Sequence, residues 1–248
     1  MDITINGARI LGEIPILGGI PITETLVVTW VVMAVLTCLS IWLTRDLKVR
    51  DISKRQAVAE KLVTTAENFV RTNMGEKWMA FVPFVSALFS LSILSSLSSL
   101  LGVFSPTADV STTLAWALVV FVLITYYKLK TSGLGGYLKG FCDPIFVMAP
   151  FNVLGELFTP ISMAFRHFGN IVSGAVITTL VYWALTVANR ALFGWLPGVI
   201  GEFLSGVPFL TVGVPAAISL YFDWFGSAIQ AYIFCMLTMM FISSATDE

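Results

Sequence analysis

Five long apolar stretches, joined by shorter polar segments, set the pattern of this chain. A helix needs about 20 mostly apolar residues to cross a bilayer, so each stretch is interpreted as a membrane-embedded helix. The predicted spans are residues 26–43, 78–103, 113–127, 145–187 and 216–243. The fourth is far longer than one bilayer thickness, and Pro150 and Pro160 predict breaks in its early part. The pattern predicts an all-α membrane protein that forms a single domain over residues 1–248.

Residues 53–73 follow a different, amphipathic pattern. Val58, Leu62, Phe69 and Val70 recur at helical spacing, and charged residues fill many of the positions between them. Such a helix suits the membrane surface, where its apolar face enters the lipid and its charged face meets water. The alternative is a helix that faces water and packs on a partner protein. The sequence leaves both interpretations open.

The basic residues predict how the chain is oriented in the membrane. Segment 45–77 carries eight of them, and Lys128, Lys130 and Lys139 lie in a glycine-bearing loop predicted after the third span. Loops rich in lysine and arginine stay in the cytoplasm. We therefore expect an external N-terminus and a cytoplasmic C-terminus.

Composition narrows the class of function. The chain is 57% hydrophobic and 12% charged, whereas soluble domains carry about 25% charged residues. Its net charge of −1 predicts no nucleic-acid partner. Three cysteines without CxxC spacing predict neither a disulfide framework nor a metal site, and His167 is the only histidine. No catalytic or phosphate-binding motif is present, so we expect no active site and no cofactor, and membrane lipid as the surroundings.

Arg166 stands out within the fourth span. A guanidinium group keeps its charge at any physiological pH, and placing it at the centre of a bilayer costs at least about 2.5 kcal/mol. Ser162 lies one helical turn before Arg166, and Asn170 and Ser173 lie one and two turns after it, so all three share its face. Charged groups in membrane helices face a cavity or one another rather than lipid, so this polar stripe predicts a functional surface.

The last span has a polar stripe of its own. Asp223 and Gln230 are two helical turns apart and point the same way. The stripe also includes Ser219, Ser227 and Thr238. Two membrane helices thus each carry one ionisable residue within a polar stripe, which predicts that they line a shared polar path.

Seven serines mark the second span. They are Ser86, Ser90, Ser92, Ser95, Ser96, Ser98 and Ser99. Serines allow helices to pack closely, with each hydroxyl bonded to a carbonyl of its own helix. They can equally line a hydrated path. Both interpretations remain open at this point.

The segment "FRHFGNIVSG" makes the chain resemble subunit a of F-type ATP synthases. The wider segment "PFNVLGELFTPISMAFRHFGNIVSG" is similar to the family's proline–glutamate–arginine helix with its RLFGN signature. Three further segments resemble the family's pattern in the same order: "SSLLGVFSPTADVSTTLAWAL", "KTSGLGGYLKGFCDP" and "IQAYIFCMLTMMFIS". Together these segments cover most of residues 81–243.

The resemblance implies roles for particular residues. Arg166 matches the essential arginine of the family, and Asn170 matches the asparagine of RLFGN. Gln230 matches the glutamine of the last helix, and Glu156 the glutamate of the preceding segment on the cytoplasmic side. Asp223 takes a position that is often histidine or glutamate in relatives, which implies that it passes the ion on the outer side.

Some positions depart from the family. Ala175 stands where many members have glutamate or histidine, and Ser99 where asparagine is common. His167 replaces the usual leucine, and it either titrates near the neighbouring ring of c subunits or packs. Glu202, in the outer connection, is either a helper at the mouth of the path or a solvated loop charge. The resemblance implies that these residues are possible lining of the ion path: Ser96, Ser99, His167, Ser173 and Ser227.

The family's function follows from the resemblance as an expectation. Subunit a is a non-catalytic stator that offers two offset half-channels to H⁺ or Na⁺ and faces the c-subunit ring. Its last two helices form a long, tilted hairpin against that ring. Peripheral-stalk b subunits and the rest of the synthase are implied partners, and a bacterial plasma membrane is the implied location. The alternative, an independent secondary transporter or ion channel, predicts inverted repeats, which the sequence does not display.

Overall fold

Six α-helices form most of the described part of the chain. The computed structural model describes residues 7–15, 20–143, 145–193, 218 and 221–246. The helices are α1 (Glu24–Thr44), α2 (Lys54–Met74), α3 (Val82–Leu97), α4 (Val110–Gly140), α5 (Ala149–Phe193) and α6 (Ser227–Ser244). Within the described residues, five helical regions are long and apolar enough to cross a membrane. The prediction of an all-α membrane protein is confirmed.

The core lies where α2 to α6 meet, and α6 is its most buried element. Ala231, Phe234, Cys235 and Met239 of α6 are at most 1% exposed. Helix α1 lies at the edge instead, and of its residues only Thr25 and Val32 are buried. Apolar side chains therefore cover both the inside and much of the outside of the bundle, as expected where lipid is the solvent.

The apolar stripe of helix α2 is buried in the bundle near the end of the helix and exposed near its start. Near its end, Val70 is fully buried, and the Phe69 ring lies 5.4 Å from that of Tyr232 on α6. Near its start, Val58 and Leu62 remain more than half exposed. The second half of this helix thus packs on the bundle, while the first half leaves an apolar face free for lipid or a partner.

A small β-hairpin precedes α1, and the sequence pattern did not predict it. Strand β1 (Ile10–Ile14) pairs antiparallel with β2 (Ile20–Thr23). The start of α1 is then tied to the connection between α3 and α4. Thr25 Oγ1 donates to Asp109 Oδ2 at 2.8 Å, and the Phe104 amide donates to Glu24 Oε1 at 3.1 Å.

Helix α4 continues through the glycine-bearing stretch that was predicted to be a loop. It reaches Gly140, with non-helical backbone angles at Gly133 (φ 67°, ψ 171°). A positive φ suits glycine because it has no Cβ to clash. The segment therefore consists of two helical parts joined by a kink at Gly133, and residues of the second part contact the start of α5.

Replacing Gly133 by alanine should destabilise the chain, because its positive φ strains any residue with a Cβ. No neighbour would meet that Cβ within 4 Å, so the cost is purely conformational and about 1 kcal/mol or more. Gly135→Ala is the matched control, since that helical site is equally open and alanine favours helix by about 1 kcal/mol. Thermal unfolding of the purified complex should show a lower midpoint for Gly133→Ala only. Equal midpoints would contradict the bend at Gly133.

Helix α5 is continuous, so the predicted breaks in residues 145–187 are wrong. It extends from Ala149 to Phe193 with Pro160 inside it. Pro150 falls in the first turn, where a missing N–H costs nothing. Pro160 removes one backbone bond, to the carbonyl four residues earlier, that of Glu156. One lost bond in a helix of 45 residues is too little to end it.

Candidate functional site

Helix α5 places Arg166 on an exposed face and His167 on a buried one. Arg166 is exposed, together with Phe165. His167 is fully buried, and Met163 and Ala164 are buried on the same inner face. Within the described part of the chain, no ion pair is formed by Arg166. The arginine therefore presents its charge on the outer surface of this subunit rather than to the core.

The rest of the predicted stripe on α5 lies on or beside this outer face. Ser162 and Ser173 are exposed, and Asn170 is half-buried. Asn170 Nδ2 donates to the Gly226 carbonyl at 3.3 Å. This contact joins the turn that follows Arg166 to the start of α6.

His167 is held inside the bundle by three other helices. Its Nε2 lies 3.3 Å from Ser92 Oγ on α3. Its ring meets Trp116 of α4 and Phe234 of α6 edge-on, with centroids 5.9 and 5.5 Å apart. Its Nδ1 has no hydrogen-bond partner among the described residues. This is the position of a packed residue, facing away from the surface that carries Arg166.

Three polar residues of α6 point into the bundle. Ser227, Gln230 and Thr238 are at most 4% exposed. Thr238 bonds back to the Phe234 carbonyl at 2.8 Å, while Ser227 Oγ finds no partner in the described residues. Gln230 is thus enclosed in the bundle, and no described contact joins it to Arg166.

Asp223 belongs to a short π-helix, Tyr221–Gly226, directly before α6. Its backbone is described, but its side chain lies outside the described residues, as do Ser219 and Glu202. Segments of π-helix inside α-helices often occur at functional sites. The wider turn is therefore a second local signal at the position that the sequence pattern selected.

A buried cluster of hydroxyls lies at the C-terminal end of α3. Thr107 Oγ1 is 3.0 Å from Ser96 Oγ and 2.8 Å from Ser105 Oγ, and Ser105 also donates to the Ser95 carbonyl at 2.7 Å. Ser96 lies one helical turn beyond Ser92, the partner of His167. The cluster and this pair together form a line of polar groups from the α3–α4 connection toward the middle of α5.

These contacts bear on the two interpretations of the serines. Ser86, Ser98 and Ser99 bond back to carbonyls of their own helix region at 2.7 to 2.9 Å, as close packing requires. Ser92 and Ser96 reach other elements instead. Two of the serines therefore link elements, which both interpretations allow, because hydroxyls in membrane proteins also form hydrogen bonds between packed helices.

Glu156 stands at the other end of the bundle, ten residues before Arg166 and so about 15 Å from it along α5. Its Oε1 lies 3.4 Å from Lys128 Nζ and accepts a hydrogen bond from Tyr137 Oη at 3.2 Å. A cavity of about 690 Å³ opens here between α4, the start of α5 and the end of α6. The sequence pattern did not predict that Lys128 and Tyr137 contact Glu156, because it placed their segment in a loop.

The chain is similar to known proteins over nearly its whole length. The family model described as "ATP synthase A chain" matches residues 26–243. A Bradyrhizobium protein named "ATP synthase subunit a 2" is 33% identical, with 94% of this chain and 92% of that protein covered. A Chlorobaculum parvum protein named "ATP synthase subunit a 1" is also 33% identical, over 92% and 91% of the two chains.

A third relative carries an ion in its name. The Propionigenium modestum protein "ATP synthase subunit a, sodium ion specific" is 29% identical, with 93% of this chain and 76% of that protein covered. Five helical regions able to cross a membrane, within the described residues, agree with these relatives in indicating an integral membrane protein. A family match over most of its length and relatives of 33% identity establish that the chain belongs to the ATP synthase subunit a family.

Proposed function

We propose that this chain is the ion-translocating stator of an F-type ATP synthase, and that it couples H⁺ or Na⁺ flow to rotation of a c-subunit ring. The observation that carries this proposal is the exposed position of Arg166 on a long apolar helix. A permanent charge facing lipid would be costly. A partner that brings a membrane carboxylate to this surface removes that cost, and a c subunit brings one.

The chemistry of a guanidinium group fits this role. It cannot carry protons, because it does not release its own. It favours the charged form of a carboxylate that passes it, so each c carboxylate gives up its ion before it reaches Arg166. It also repels cations that would otherwise leak straight across. Each elementary charge that crosses 100 mV supplies about 2.3 kcal/mol, which the rotation can use.

Two routes for the ion lie on either side of Arg166 in this proposal. The outer route includes Asp223 and the line of hydroxyls from Thr107 to Ser92, with Ser227 and Gln230 beside it. The cytoplasmic route is the cavity that contains Glu156. The two routes are offset along α5, so an ion passes from one to the other only by travelling around with the ring.

Purification tests the proposal against an independent transporter. The stator should co-purify with a proteolipid ring, b subunits and a soluble ATPase. Inverted membrane vesicles should then take up the ion when ATP is added. Sodium uptake that a protonophore stimulates identifies Na⁺, and acidification that a protonophore abolishes identifies H⁺. Transport by the chain without the other subunits would contradict the proposal.

Cysteine labelling tests the proposed orientation, in which segment 45–77 is cytoplasmic and the N-terminus external. The background lacks Cys38, Cys142 and Cys235, and it carries either Ser53→Cys or Gly12→Cys. Both sites are exposed or open, and Gly12 has no neighbour within 4 Å of an added Cβ. A membrane-impermeant maleimide should label position 53 only in inverted vesicles and position 12 only in intact cells. The reverse pattern would overturn the orientation.

A further inference from the structure

The cavity beside Glu156 contains one pair of opposite charges. Its polar lining includes Lys128, Tyr137, Asp143, Asn152 and Glu156. The side chain of Glu156 is only 13% exposed and that of Lys128 is 30% exposed. The pair is therefore partly shielded from water, which strengthens electrostatic interaction relative to a surface pair.

Two residues of α4 hold the same oxygen of Glu156. Lys128 Nζ lies 3.4 Å from Oε1, and Tyr137 Oη donates to that oxygen at 3.2 Å. Lys128 comes before the bend at Gly133 and Tyr137 after it. The bend thus lets one helix approach the carboxylate from two directions and fix its position.

The other two lysines of this region do not contact Glu156. Lys130 lies 6.0 Å from the rings of Tyr126 and Tyr127, and neither it nor Lys139 lines the cavity. Asp143 is the other charged residue of the described lining, and the end of α6 with the residue after it contributes only uncharged side chains, those of Phe241, Ser244 and Ala245. Without Lys128, the described lining would therefore carry two carboxylates and no positive charge.

We propose that Lys128 is the counter-charge of Glu156, a positioning residue whose ammonium group keeps the coupling cation from being held in this cavity. The inference rests on the proposed function, in which the cation crosses the cavity on the cytoplasmic side. An uncompensated carboxylate in a partly enclosed site binds cations and delays their passage. When Lys128 is paired with Glu156, the carboxylate still attracts the cation into the cavity, but it binds the cation weakly and releases it quickly.

Charge-selective labelling tests the charge of the cavity without any pumping. Ser132, an exposed residue of the lining, is replaced by cysteine in the cysteine-free background. The labelling rates of a cationic and an anionic methanethiosulfonate are then compared. Lys128→Met should raise the ratio of cationic to anionic rate about fivefold, and Glu156→Gln should lower it by a similar factor. The double variant should return the ratio to that of the parent, because it leaves neither charge unpaired.

Transport measurements complete the test. The rate of ATP-driven pumping is measured at increasing Na⁺ concentration and fixed pH, and then at varied pH and fixed Na⁺ concentration. Both series are needed because the coupling ion is either Na⁺ or H⁺. In Lys128→Met, half-saturation should occur at a severalfold lower ion concentration, with a severalfold lower maximal rate. Lys128→Arg should keep both values close to those of the parent. Lys130→Met is the matched control, because that lysine lies outside the cavity lining.

The possible failures can be told apart. If Lys128→Met assembles and changes neither the labelling ratio nor half-saturation, the counter-charge role is wrong even though the stator role stands. If the labelling ratio responds but no variant or parent pumps ions, the stator role is wrong. If Lys128→Met and Lys128→Gln both fail to assemble while Lys128→Arg assembles, the lysine is a structural residue and the inference is overturned.

Discussion

Arg166→Ala is expected to abolish coupled ATP synthesis while the complex remains assembled. The arginine is exposed on α5, and the buried face of that helix is formed by other residues such as His167 and Ala164. Its removal therefore leaves the core packing intact. Without the charge, a c carboxylate passes the stator without giving up its ion, so rotation is no longer tied to transport. ATP hydrolysis should continue but should pump no ions.

Two further variants test whether the guanidinium group at this position is what matters. Arg166→Lys should also largely fail, because an ammonium group is more strongly hydrated, reaches less far and loses its proton when buried. Arg190→Ala is the matched control, since it removes an exposed arginine near the other end of the same helix. That variant should synthesise ATP normally.

The measurements are subunit stoichiometry and ATP-driven pumping in the same membranes. A residue that merely held two helices together would give the opposite pattern from the one expected here. Less complex would assemble without Arg166, and whatever assembled would still couple. Fully assembled Arg166→Ala complexes that pump at the parent rate would refute the barrier role.

Hydrophobic patterning predicted the helices well because lipid-facing and core-facing residues are equally apolar. Each span is one long run, and its ends are marked by charged or glycine-rich segments. A polar segment that follows a span can also be helical, however, so the hydrophobic pattern does not show where a helix ends. Helix α4 reaches Gly140, because the backbone forms a kink at Gly133 and the polar residues beyond this kink are helical again. Helix α5 tolerates Pro160 for a related reason, since one missing bond is small beside many retained.

The candidate site was predictable only in part. Spacing along α5 identified the polar stripe that includes Arg166, yet it could not say which side faces the bundle. The structure shows which side faces the bundle, because His167 is buried and Arg166 is exposed. The partners of Glu156 were missed because Lys128 and Tyr137 come together only through the bend at Gly133. A bend of this kind leaves no periodic signal in the sequence.

Burial and hydrogen bonds also show how two other polar residues of the predicted stripes are placed. Gln230 was grouped with Asp223 on one stripe of the last helix, and the structure encloses it at 4% exposure. Asn170 reaches the backbone of Gly226 rather than another side chain. The two helices therefore meet through this contact at Gly226, the last residue of the π-helix that carries Asp223. The outer route that we propose begins at this junction.

Asp223→Asn is expected to slow ion-driven ATP synthesis by about a hundredfold, the lower end of what a side chain positioned to transfer a proton contributes. An amide has nearly the same size as the carboxyl group but can neither release a proton nor neutralise a cation. The complex should assemble normally, because the substitution preserves volume. Asp223→Glu should keep part of the rate, since it retains the charge on a longer side chain.

Glu202→Gln supplies the comparison for Asp223→Asn. Both changes remove one carboxylate from the segment that precedes α6, but Glu202 belongs to the connection and is expected to be a solvated charge. Its loss should change the rate of ATP synthesis by less than about twofold. The rates are measured under an imposed ion gradient and membrane potential, and each is normalised to the amount of assembled complex. A normal rate in Asp223→Asn would remove this residue from the outer route. A large loss in Glu202→Gln would instead place the entry of that route in the connection.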